Sequence, residues 1–161
     1  MIDEYLEKWL IKARNDLKTA ENESKLSSED MVTDAICFHS QQAVEKYLKA
    51  YLIAKEIDFD KSHKLEYLLE ICIEEDNDFS QVDIGDLSFY AVEVRYPDDF
   101  YIPTEKEARE SLEIAQKVKE FILKKLDIKE SDIRRNLSVE EEEEEEENKE
   151  GGEINTVEYP F

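Results

Sequence analysis

Glycine and proline are scarce, with three of each among 161 residues. Both break or bend regular backbone, so their scarcity argues against many short strands joined by tight turns and favours long helices. Cysteine occurs only as Cys37 and Cys72. No CxxC pair or Cys/His spacing suggests a metal, and both residues sit in apolar helical patterns, so they read as buried reduced thiols. Histidine occurs only as His39 and His63, too few for a metal triad. No apolar run reaches membrane-spanning length. The N-terminal stretch MIDEYLEKWLIKARND is charged throughout, unlike a signal peptide, so the cytoplasm is the expected compartment. No glycine-rich phosphate loop, Walker motif or nucleophile triad is present.

Positive charge is also in deficit. Twenty-one Lys and Arg face 43 Asp and Glu, for a formal net charge of −22. Residues 127–161 carry 14 acidic and 4 basic side chains, and residues 1–126 carry 29 and 17. The body is therefore acidic without its tail. Nucleic-acid affinity comes largely from Lys and Arg displacing counterions, so any RNA contact must use a local basic patch or a basic partner.

What is abundant is helical pattern. Leu6, Trp9, Leu10, Ala13, Leu17 and Ala20 share one face of a helix expected over about 3–23. A second helix, about 29–56 with Ser27 or Ser28 as cap, is apolar around most of its middle, as a central helix would be. A third is expected at about 63–75, with Ser62 as its cap. A fourth, at about 81–95, would end before Pro97. The fifth begins at the capping box Thr104-Glu105-Lys106-Glu107 and runs to about 126. Beyond it lie eight consecutive glutamates, residues 140–147, a run that reads as a solvated, disordered tail. The expected fold class is all-α: an antiparallel four- to five-helix up-and-down bundle over residues 1–126, with an acidic tail over 127–161.

Five separated pieces resemble the HEPN family. They are Phe38-His39, Gln41-Gln42-Ala43, Glu45-Lys46-Tyr47-Leu48-Lys49-Ala50, His63-Lys64-Leu65, and the stretch VRYPDDFY with the helix after it. The resemblance covers about residues 3–126. It implies a helical bundle that is usually a homodimer, often beside a minimal nucleotidyltransferase in a toxin–antitoxin-like pair. In catalytic members it implies a metal-independent endoribonuclease built on Arg-x(4–6)-His at the dimer cleft. Members without that motif are viewed as nucleotide- or RNA-binding modules.

This sequence departs from the catalytic version. Arg95 is followed by Tyr96, Pro97, Asp98, Asp99, Phe100, Tyr101 and Ile102, and none is histidine. Metal-free ribonuclease chemistry needs a base for the 2′-hydroxyl, and histidine serves because it titrates near neutrality. A tyrosine such as Tyr101 titrates near 10 in model peptides. Arg95 itself has two readings: a helix-end cation paired with Asp98 or Asp99, or an anion-binding arginine in a cleft. Tyr96, Phe100 and Tyr101 read as packing for the turn or as stacking platforms. His39, Gln42 and Lys46, at i, i+3 and i+7, form a polar stripe on an otherwise apolar helix, lining a cleft or an interface.

The candidate nucleotide- or RNA-binding residues are thus Arg95, Tyr96, Tyr101, His39, Gln42 and Lys46, with no catalytic set, no metal and no cofactor expected. The favoured function is a non-cleaving binding module, a homodimer working with a nucleotidyltransferase and without a membrane role. The alternatives are an endoribonuclease using Arg95 with a non-standard base, and a purely structural helical adaptor.

Overall fold

A computed structural model of the chain describes residues 2–91 and 100–134. Among these residues there are four α-helices and no strand. They are α1 (Glu4–Ser24), α2 (Thr33–Ala54), α3 (Leu65–Glu75) and α4 (Glu105–Lys125).

Local sequence explains where each helix starts. Asp3 caps α1, its side chain accepting from Leu6 N at 3.2 Å. At α4 the expected capping box closes in both directions: Glu107 N donates to Thr104 Oγ1 and Thr104 N donates to Glu107 Oε2, both at 3.1 Å. Such a cap contributes on the order of 1 kcal/mol. The α2 and α3 starts fall later than the sequence suggests. Ser27 accepts from Asp30 N in a turn before α2, whose own N-cap is Val32 without a side-chain bond. Ser62 likewise caps a turn at Lys64 N rather than the helix that opens at Leu65. In both places a serine hydroxyl finds a backbone N–H two or three residues on, and local turns outcompete an extra helical turn.

The helix expected at about 81–95 is corrected over its described part. Residues 77–81 and 87–90 form two 3-10 turns instead. Gly85, at φ +50°, breaks the segment between them, and Asp83 Oδ1 accepts from Gly85 N at 2.8 Å. A side-chain acceptor and a left-handed glycine together divert the backbone from α geometry.

Packing then follows from the apolar faces. Helix α2 is central, and thirteen of its 22 residues are buried. Cross-links between His39 and Asp16, and between Lys49 and Trp9, show that α1 runs antiparallel to it. On the other side Ser111 of α4 donates to Cys37 Sγ, and Thr33 Oγ1 donates to Pro103 O at 2.7 Å. The rings of Tyr51, Phe79 and Phe121 meet in sequence, the first pair tilted and the second edge-on, with centroids 4.5 and 4.9 Å apart, and tie the 3-10 segment between α2 and α4. Cys37 and Cys72 are buried free thiols. Burial pushes them up to about 11 and about 12, so both stay protonated at neutral pH.

The packed chain continues past α4. Ile133 is buried, and Arg134 Nε donates to Glu7 Oε1 at 2.6 Å. Arg14 of α1 donates to the carbonyls of Ile133 and Arg134. The segment after α4 therefore lies as a strap across α1.

Candidate functional site

Helix α2 is buried on most sides, so its polar residues either reach solvent along one strip or must be paired inside. The strip is the one expected from spacing. His39, Gln42 and Lys46 are all partly exposed, while their neighbours Ser40, Gln41, Ala43, Val44 and Glu45 are buried.

The partner of two strip residues comes from α1. One oxygen of Asp16 meets His39 Nδ1 at 2.8 Å, and its other oxygen accepts from Lys46 Nζ. Asp16 is largely covered, with 14% of its side chain exposed, against 29% for His39 and 26% for Lys46. A largely covered carboxylate thus positions an imidazole and an ammonium side by side.

Gln42 joins a second network, centred on Glu45. That carboxylate, 5% exposed, accepts from Lys49 Nζ at 2.8 Å and meets His63 Nδ1 at 2.9 Å, both through Oε1. Its Oε2 accepts from Gln41 Nε2 at 3.3 Å and Gln42 Nε2 at 3.4 Å. Gln42 also donates to Gln41 Oε1 at 2.6 Å, and Gln41 donates to the carbonyl of His63. The Lys49 ammonium lies 5.9 Å from the ring centroids of both Trp9 and Phe59. A buried ion pair is tolerated only when its remaining valences are filled, and here two amides, an imidazole and two aromatic faces fill them. The network clamps the turn before α3 onto α2.

Tyr101 stands apart from this seam. Its hydroxyl donates to Glu107 at 2.6 and 2.8 Å, and that bond raises its pKa above the ordinary phenol value. Phe89, Phe100 and Ile102 around it are exposed, Phe100 by 78%. Arg95 and Tyr96 lie outside the described residues, as does residue 135 onward, the greater part of the acidic tail expected over 127–161.

The candidates therefore divide. His39, Gln42 and Lys46 share one strip, and Tyr101 sits near the start of α4. The acidic partners Asp16 and Glu45 were missed by sequence reasoning. Asp16 carried a readable signal, since it falls three residues after Ala13 and four before Ala20 within the apolar stripe of α1. Glu45 stands four residues before Lys49, a helical ion-pair spacing. Among the described residues, no group of three or more metal-ligating side chains occurs, and no helix is long and apolar enough to cross a membrane.

A family model described as the HEPN domain matches residues 6–126. Comparisons with curated proteins and with solved structures return no match.

Proposed function

The chain belongs to the HEPN domain family, and from that premise we propose that it is a nucleotide- or RNA-binding interaction module that does not cut its ligand. It works as a homodimer beside a minimal nucleotidyltransferase, the arrangement common among prokaryotic relatives. The observation that carries the non-cleaving reading is the whereabouts of the two imidazoles. Neither follows an arginine at ribonuclease spacing, and each is tied through Nδ1 to a carboxylate on the α2 seam. The nearest titratable hydroxyl after Arg95 among the described residues is Tyr101, which Glu107 makes a weaker acid still. A phenol that holds its proton so firmly is a poor base at neutral pH.

Dimer formation is favoured by the exposed Phe89, Phe100 and Ile102, since apolar groups clustered at a surface mark interaction sites. Arg95 is the anion-binding residue of this proposal. The test is a titration of wild type and Arg95→Ala with single-stranded RNA, beside a metal-free cleavage assay. Arg95→Ala is expected to weaken binding by ~1–3 kcal/mol, the scale of a lost charge-assisted hydrogen bond, with helicity unchanged and no RNA cut by either protein. RNA cut by wild type but not by Arg95→Ala would restore the endoribonuclease reading. Unchanged binding would remove Arg95 from the ligand contact.

A further inference from the structure

The strip on α2 presents hydrogen-bond acceptors in a row. The carboxylates of Asp16 and Glu45 accept, so the Nδ1 atoms of His39 and His63 carry the protons. In a neutral ring Nε2 is then an acceptor. Neither Nε2 bonds to a described residue, and that of His39 is not buried. Gln42 spends its amide N–H groups on Gln41 and Glu45, which leaves its carbonyl oxygen as a third acceptor, also unburied. Beside these stands one ammonium, Lys46, on the second oxygen of Asp16.

Three acceptors and one cation select a ligand that offers donors next to a negative charge. Inorganic phosphate is dominated by acceptors, with a single O–H in its dianion, and pairs chiefly with the cation. A ribonucleotide supplies both, because its ribose hydroxyls donate and its phosphate takes the ammonium. The 2′-hydroxyl is also what distinguishes RNA from DNA at a protein site.

We infer that the strip of His39, Gln42, Lys46 and His63, buttressed by Asp16 and Glu45, is a contact site for the ribose–phosphate of a ribonucleotide, with the imidazole Nε2 atoms accepting from its hydroxyls. This rests on the nucleotide-binding reading above and adds a second contact surface to Arg95. It predicts a preference for ribose over deoxyribose.

The chain has only two histidines, so the imidazole Cε1–H region of its NMR spectrum holds two signals. The full chain is titrated at pH 8.5, where histidine is ordinarily neutral, with pentariboadenylate, pentadeoxyadenylate, adenosine 5′-monophosphate and inorganic phosphate. The ribo-oligomer is expected to move both signals and to bind at least about tenfold tighter than the deoxy-oligomer, the scale of one hydrogen bond. His39→Phe should erase much of that preference, and Lys46→Met should weaken both oligomers alike. Once that ribose preference and the movement of both signals are observed, tighter binding of the monophosphate than of the ribo-oligomer assigns a free nucleotide as the source, and the reverse assigns RNA. Equal affinity for the two oligomers overturns the inference, as does RNA binding that leaves both wild-type signals in place, a readout that needs no variant. Those results leave the proposed function standing. Failure of every nucleotide probe to bind overturns both.

Discussion

Glu45 shows how a side chain that reads as surface charge becomes the centre of a fold. It takes four donors from Gln41, Gln42, Lys49 and His63. Deleting one partner of a buried pair leaves the other charge uncompensated, which costs far more than replacing both by apolar groups. Glu45→Gln is therefore expected to lower unfolding stability by about 3 kcal/mol, while adding Lys49→Met recovers most of the loss. Urea denaturation of the single and double variants checks this. A single-variant cost under about 1 kcal/mol would mean the pair is effectively solvated. Asp16 acts on a smaller scale, because His39 and Lys46 keep part of their surface in water.

Among the elements, the strap after α4 makes a prediction that the helical pattern alone would miss. Apolar periodicity stops at about residue 126, yet Ile133 is buried and Arg134 pairs with the covered carboxylate of Glu7. Burying an isoleucine stabilises by about 1.5–3 kcal/mol, and leaving a buried carboxylate unpaired costs about 1–3 kcal/mol. Truncation after residue 126 is expected to lower the thermal midpoint by roughly 10 °C, and truncation after residue 134 to leave it within a few degrees. Calorimetry on the two shortened chains distinguishes them. Equal midpoints would show that the strap adds nothing.

For the whole molecule, the open question is association. An apolar central helix suggests in sequence that one subunit cannot cover it, but α1, α3, α4 and the 3-10 segment cover α2 within one chain. Among the described residues, the exposed group of Phe89, Phe100 and Ile102 is the surface proposed for a second copy. Sedimentation equilibrium at micromolar concentration is expected to give twice the 19.0 kDa chain mass, and Phe100→Asp is expected to shift the protein towards monomer. A single 19.0 kDa species for wild type would sink the dimer.

The all-α class, all four α-helices to within about four residues and the α4 capping box were legible in the sequence. Helical periodicity and capping are local properties, carried by residues three or four apart. The strip of His39, Gln42 and Lys46 was legible for the same reason, since one helix sets their spacing. Their partners were not. Asp16 lies 23 residues from His39 and Glu45 lies 18 from His63, and only the packing of α1 and the pre-α3 turn against α2 decides that those carboxylates face imidazoles. The strap was hidden likewise, because Arg134 reaches back 127 residues to Glu7. The expected fourth helix failed at Gly85 and Asp83, where a turn competes with the helix through bonds that apolar spacing does not register. Short-range pattern specified which helices form. Burial then selected which charges had to meet, because a charged group removed from water must find its counterpart wherever the fold brings one near.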